Sequence, residues 1–296
     1  MLDKLEMFIA VAKEGHFGRA AANIGITQPS LSAGIKQLEE QLGVQLIFRG
    51  SRYGGLTPEG QSALVWARRI VSDARQLREE MRAKRHGLTG QLRIAAIPTA
   101  LTWAARLCHR FNQKHPNVRF TILSGTSVEI LSLLDNLDVD AGISYLDNEP
   151  MGRVSTEPLY EERYMLICAE DSPFAARQTV GWEELAGERL CLLTPDMQNR
   201  RIINRNFAAV DVTPEAWIES NSTVVLMATV ETGGWMTVLP EDSARFHARG
   251  KALKIIPLSG PAPAHSVGLV APWREPHTPV LESLLREARR LSAARR

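Results

Sequence analysis

The stretch AAANIGITQPSLSAGIKQLEEQLGVQLIFRG, residues 20–50, decides how the N-terminal part of the chain folds. With the preceding Phe17, Gly18 and Arg19 it opens as a short helix in which Ala20, Ala21 and Ile24 are small or apolar and permit close packing. Gly25-Ile26-Thr27 makes a tight turn. Thr27 is a good N-cap, and Gln28 and Pro29 follow in the first turn of a second helix, where the N–H that proline lacks would be unpaired anyway. Leu31, Ile35, Leu38 and Leu42 recur at spacings of four, three and four, which predicts one buried face. The opposite face presents Gln28, Ser30, Ser32, Ala33 and Lys36. Two helices joined by a three-residue turn, the second polar on its outer face, make a helix-turn-helix. The competing reading is a plain helical hairpin with a solvated outer face. Glutamine and serine there suit hydrogen bonds to base edges, and a helix N-terminus suits phosphate.

Working outward, QLIFRGSRYGGLTPEG (45–60) continues the pattern. A strand over 44–48, a polar turn holding Arg49, Arg52, Gly54 and Gly55, and a return strand ending at Thr57 form a two-stranded wing. Arg49 and Arg52 sit where a minor groove or a phosphate would lie; solvated loop charge is the alternative. From Pro58 to about His86 the chain reads as one helix, about 43 Å long. Ala63, Ala67, Ile70, Ala74, Leu77 and Met81 form a seven-residue apolar seam flanked by Leu64 and Val71, a coiled-coil-like dimer face. Packing against the chain's own second domain is the other use for it. The dimer is favoured because a lone helix of this length needs a partner face, and two copies of a helix-turn-helix suit symmetric half-sites.

These residues resemble the winged helix-turn-helix of LysR-type transcriptional regulators. The Ala pair, the Gln-Pro-x-Leu-Ser start, the Leu-Glu-x-x-Leu-Gly ending and the Leu-Thr-x-x-Gly exit occur together and in order within residues 1–60. The resemblance implies that Gln28, Pro29, Ser30 and Ser32 face the major groove of double-stranded DNA; Lys36, Arg49 and Arg52 are then read as the phosphate contacts. Where many members carry Arg or Lys, this chain has Ala33 and Gly34, leaving Lys36 as the main cation of that helix. It further implies a dimer through the long helix, a homotetramer, a small-molecule inducer, and contact with RNA polymerase.

Charge and composition agree. Of 296 residues 44% are hydrophobic and 23% charged, ordinary for a globular protein of two or three domains. The formal charge is +2, split unevenly: residues 1–90 hold 13 Lys/Arg against 9 Asp/Glu. A basic head on a slightly acidic body hints at nucleic acid. Asp3, Lys4, Glu6 and Lys13 break any signal-peptide core, and no run approaches the roughly 18 apolar residues of a membrane span, so a cytoplasmic location without membrane contact is expected. Cys108, Cys168 and Cys191 have neither disulfide-framework nor zinc spacing.

Beyond Gly87-Leu88-Thr89-Gly90, apolar runs of strand length alternate with helical stretches. Strands at 92–98, 118–125 and 140–145 enclose helices at 101–114 and 127–137. A second set has strands at 164–170, 189–194, 216–220 and 235–240 with helices near 198–208 and 222–232. A strand at 266–272 and a helix at 278–293 close the chain. Parallel sheets with right-handed crossovers, in two α/β lobes, fit this order. The expected domains are 1–58 (winged helix-turn-helix), 59–90 (linker helix and hinge) and 91–296, the last with lobe I at 91–162 and 267–296 and lobe II at 163–266. The resemblance implies that the last domain is an effector-binding unit like a type 2 periplasmic binding protein.

In two-lobed α/β folds ligands lodge beyond the carboxyl ends of the strands, against helix N-termini. Thr99, Ala100, Thr102, Thr126, Ser127, Gln198, Arg200, Arg201 and Thr223 follow strands in this way and are the candidate effector residues. Thr99, Ser127, Ser222 and Thr223 equally suit helix N-caps, and the two arginines equally suit solvated helix charges. Hydroxyls with arginines favour a small oxyanion. Cys168 and Cys191 fall within apolar strands, where thiols are usually inert. No catalytic signature is present, neither Gly-x-Ser-x-Gly, Gly-x-Gly-x-x-Gly, a phosphate-binding loop nor His-Glu-x-x-His. Asp135, Asp138 and Asp140 lack the partners a hard-cation site adds. Neither an enzyme, a metal nor a cofactor is expected.

Overall fold

Apolar residues three to four apart give α1 (Leu2–Glu14) its buried face of Leu5, Phe8, Ile9 and Val11. These meet Ala20 and Ala21 of α2 (Phe17–Asn23), Leu31, Ile35 and Leu38 of α3 (Gln28–Leu42), and Ala67 and Val71 of α4 (Pro58–His86) in one core. Gly25 turns the chain between α2 and α3 at φ +71, a backbone that disfavours other residues. The computed structural model describes residues 1–48, 53–147, 149–260, 264–273 and 276–294. They form two compact units, the first made chiefly of Met1–Leu88 and the second beginning at Thr89.

Three expectations for the first unit need correction. Leu42 is 43% exposed, because α3 ends beyond the core, and Gly34 completes the buried face instead. The wing strands reduce to one antiparallel bridge between Ile47 and Leu56. The Glu39 carboxylate takes the N–H groups of Leu46 (2.8 Å) and Ile47 (3.2 Å), while the Phe48 N–H donates to the Gly55 carbonyl (3.1 Å) and the Thr57 N–H to the Leu46 carbonyl (3.0 Å), so the two arms pair only briefly and the first is also tied to α3. Arg49 and Arg52 lie outside the described residues. The seam of α4 divides: Ala67 is buried in the chain's own core with Ala63 beside it, whereas Ile70, Leu77 and Met81 stand exposed together with Trp66.

The second unit holds two sheets. The first, in the order β2-β1-β3-β11-β4, is built from β1 (Gly90–Ala96), β2 (Val118–Ser124), β3 (Ala141–Tyr145), β4 (Val154–Glu162) and β11 (His265–Pro272). It carries α5 (Leu101–Lys114), α6 (Ser127–Asp135) and α10 (Pro279–Ala293), and Lys114 of α5 meets Glu287 of α10 at 2.5 Å. The second sheet, β6-β10-β5-β9-β7-β8, comprises β5 (Tyr164–Ala169), β6 (Val180–Gly181), β7 (Leu190–Leu193), β8 (Ala216–Ser220), β9 (Met236–Pro240) and β10 (Leu253–Ser259). With it go α7 (Gln198–Ala208), α8 (Thr223–Glu231) and α9 (Glu241–His247).

Both sheets are mixed rather than parallel. β1, β2 and β3 run parallel, but β11 is antiparallel to β3 and to β4. The reason is the double crossing between lobes: β4 leaves the first lobe through Arg163 and β11 returns to it, without the crossover helix that would align them. The return begins at His265, paired with Glu162, slightly earlier than predicted. Four elements escape the sequence pattern: β4, β6, α9 and β10. Pro158 and Pro257 disguise β4 and β10; β4 accommodates Pro158 because it is an edge strand, bulged at the neighbouring Leu159.

Candidate functional site

The first site is the open face of α3. Thr27 Oγ1 accepts the Ser30 N–H at 3.3 Å and lies 2.9 Å from the Ser30 hydroxyl, so the helix start is capped from within. His16 caps α2, its Nδ1 accepting from the N–H groups of Gly18 (3.0 Å) and Arg19 (3.3 Å). The Ile26 N–H reaches back to the Ala21 carbonyl at 3.0 Å and closes the turn. The buried face then fixes the other: Gln28, Pro29, Ser30, Ser32, Ala33 and Lys36 are all exposed. Lys36 lies 3.9 Å from Glu40, an exposed pair that holds it weakly. Gly34 is not on this face. It is buried against α1, where a Cβ would collide with the Met7 sulfur, so a long cation there would break the core.

The second site lies between the two lobes of the second unit. A small cleft, partly open to solvent, is lined by Ile97, Pro98, Thr99, Ser127, Tyr145, Leu193, Met197, Gln198 and Asn199. These come from the carboxyl ends of β1, β3 and β7 and from the first turns of α6 and α7, the topological position where α/β folds place ligands. Three of the nine predicted effector residues, Thr99, Ser127 and Gln198, line it. Ser127 Oγ and Asn199 Oδ1 are buried without a hydrogen-bond partner. Gln198 Nε2 donates to the Asp147 carbonyl at 3.0 Å.

The remaining predicted residues are engaged elsewhere. Thr126 caps α6 reciprocally with Glu129: its Oγ1 accepts the Glu129 N–H (3.1 Å), and its own N–H donates to Glu129 Oε2 (2.8 Å). Arg200, itself buried, donates to the Leu193 carbonyl (2.7 Å) and Glu219 (2.6 Å). Arg201 grips Glu149 through two bonds of 2.7 Å, which raise the arginine and lower the carboxyl from their ordinary values. Thr223 Oγ1 lies 3.2 Å from His247 Nε2. Ala100 is buried and the Thr102 hydroxyl is enclosed, and neither is among the lining residues. The cations on which an oxyanion ligand was expected are thus spent on the chain's own carboxylates.

Sequence reasoning missed the centre of this region. Tyr145 Oη donates to Glu162 Oε2 at 2.6 Å and Tyr160 Oη to Oε1 at 3.2 Å. Burial pushes Glu162 up to about 7, against the hydroxyls of Tyr145, Tyr160 and Thr99, with Asp242 adding to the rise. Burial beside this carboxylate drives Tyr145, Tyr160 and Tyr164 well above the usual phenol range. Asn199 Nδ2 donates to Tyr145 Oη at 3.1 Å. The alternation of Tyr160 and Glu162 places these two side chains on one face of β4, with Tyr164 following at the start of β5, and was the available signal.

All three cysteines are buried, and burial pushes Cys108 up to about 12 and Cys191 up to about 11. Asp140 Oδ2 accepts the Arg93 N–H at 2.7 Å, a structural use. Among the described residues no group of His, Cys, Asp and Glu is placed to hold a metal ion, and no helix is long and apolar enough to cross a membrane.

Comparison with known proteins bears on both sites. Residues 2–61 match the family model for bacterial regulatory helix-turn-helix proteins of the lysR family, and residues 85–293 match that for the LysR substrate binding domain. The chain is 30% identical over 250 residues to the HTH-type transcriptional regulator XapR of Escherichia coli K12, covering 84% of this chain and 85% of that one. It is 28% identical over 267 residues to the dual regulator OxyR of the same organism, covering 90% and 87%. A full-length OxyR variant from Pseudomonas aeruginosa superposes with a TM-score of 0.77 at 26% identity, over 98% of this chain and 94% of that one. The chain belongs to the LysR family: it is a DNA-binding transcriptional regulator, not an enzyme, with an N-terminal helix-turn-helix and a two-lobed α/β effector-binding domain.

Proposed function

We propose that residues 1–58 read an operator in the cytoplasm, residues 59–90 join two copies, and residues 91–296 sense a small molecule. The observation that carries the first part is the two-faced helix α3, apolar where it meets the core and exposed at Gln28, Ser30, Ser32 and Lys36 on the other side. Gln28, Ser30 and Ser32 read base edges in the major groove, Pro29 sets the helix start, and Lys36, Arg49 and Arg52 supply salt-dependent phosphate contacts. The exposed Trp66, Ile70, Leu77 and Met81 of α4 form the self-association face, and pairs of dimers assemble as a tetramer that contacts RNA polymerase. The effector enters the interlobe cavity, where buried polar atoms lack partners, and favours one arrangement of the lobes over the other.

Two substitutions test the two sites separately, both read by electrophoretic mobility shift on the chain's own promoter region. Ser30→Ala weakens specific binding by about five- to thirtyfold, the equivalent of one lost base contact, and random DNA much less. Equal losses on both would remove Ser30 from base reading. Ser127→Trp fills the cavity, leaves operator binding intact and abolishes the effector response; a normal response would place the effector elsewhere.

A further inference from the structure

The hydrogen bonds behind the interlobe cavity have a fixed direction, and this direction discriminates between ligands. Glu162 is fully enclosed and accepts from Tyr145 Oη at 2.6 Å. A phenol has one proton, so the Tyr145 oxygen has only acceptor capacity left for its next neighbour. The contact of 3.1 Å between Tyr145 Oη and Asn199 must therefore be made by the amide nitrogen as donor. That orientation turns Asn199 Oδ1 away from Tyr145, and this oxygen is buried with no partner. Among the described lining residues there is no cation: Arg200 is held by Glu219 and Arg201 by Glu149, while Glu129 already meets the first N–H of the turn leading into α6.

An ionised carboxylate brings acceptors only. It would leave Asn199 Oδ1 unsatisfied and would add a charge beside Glu162. Resting on the reading of this cavity as the effector site, we propose that the effector is an uncharged small molecule whose N–H or O–H donates to Asn199 Oδ1 and whose oxygen meets the Ser127 hydroxyl, the pattern of a primary amide.

The test uses the full chain and matched pairs of probes: acetamide with acetate, propionamide with propionate, benzamide with benzoate. Melting is followed by scanning fluorimetry at pH 8.5, above the value of about 7 to which burial pushes Glu162, so that its carboxylate accepts as drawn. Each amide is expected to raise the melting temperature, and its acid to do nothing. Asn199→Leu, which removes the orphaned acceptor, should weaken the amides about ten- to hundredfold. Acids that stabilise more than their amides, or silence from both series, overturn the proposed class. If the winning acids are lost in Ser127→Trp, the cavity remains the effector site and only its polarity was misjudged. Amides that still bind Ser127→Trp overturn the cavity itself.

Discussion

Glu162 shows how far one residue departs from its appearance in the chain. In the run Tyr160-Glu161-Glu162-Arg163 it reads as surface charge, yet it is 1% exposed and held between two phenols. Its pKa rises from the ordinary 4.5 to about 7, so the folded protein holds this proton more tightly than the unfolded chain. The stabilisation is complete below about pH 4.5 and is lost as pH rises through 7. Between pH 5 and 8 the native state should lose up to about 3 kcal/mol from this group, and Glu162→Gln should flatten that part of the profile. Urea denaturation at a series of pH values measures it; parallel profiles for the two proteins would assign the proton to another group. Residue type and spacing rank Arg200 and Arg201 above Glu162 as site residues. They carry no sign that Glu219 and Glu149 arrive from distant segments to neutralise those arginines.

At the scale of elements the helices are the most legible. α4, α5 and α7 fall within a residue or so of their predicted bounds and α3 opens where its cap is expected, because Thr27 and Thr57 mark two of the starts and apolar periodicity does the rest. What periodicity does not reveal is which partner an apolar stripe meets. On α4 the seam from Ala63 to Met81 is continuous in the sequence, but α1 covers only its first part; Arg75 and Glu6 reach across at 3.7 Å. The uncovered part predicts a specific outcome. Leu77→Glu removes two apolar anchors per dimer, about 3–6 kcal/mol, and should raise the dimer dissociation constant more than about a hundredfold in analytical ultracentrifugation. An unchanged dimer would move the interface off α4. Edge and return strands are the least legible, since Pro158 and Pro257 carry the signature of loops and are tolerated only by the sheet around them.

At the scale of the whole molecule, the relatives include proteins named as hydrogen peroxide-inducible genes activators, and the placement of the cysteines decides whether this chain shares that chemistry. Cys168 lies on β5 and Cys191 on β7, with β9 between them. Two strand spacings are about 10 Å, beyond the roughly 7 Å that a disulfide can span. Burial holds both thiols protonated by pushing them up, Cys191 to about 11. Hydrogen peroxide should therefore produce no intramolecular disulfide, and a thiol reagent should titrate no cysteine in the native protein and all three after denaturation. An intact-mass loss of two hydrogens after peroxide would contradict the fold as described.

The residues by themselves determined the helix-turn-helix, the long helix after it, the two α/β lobes and the family, because caps, turns and apolar periods are local and each is written within about fifteen residues. The tertiary structure alone decided the mixed strand directions, the division of the α4 seam, and the cavity's polarity. Those depend on pairs such as Glu162 with Tyr145 and Arg201 with Glu149, brought together by a chain that crosses twice between lobes. Burial and pairing are properties of that meeting, and no single segment carries them.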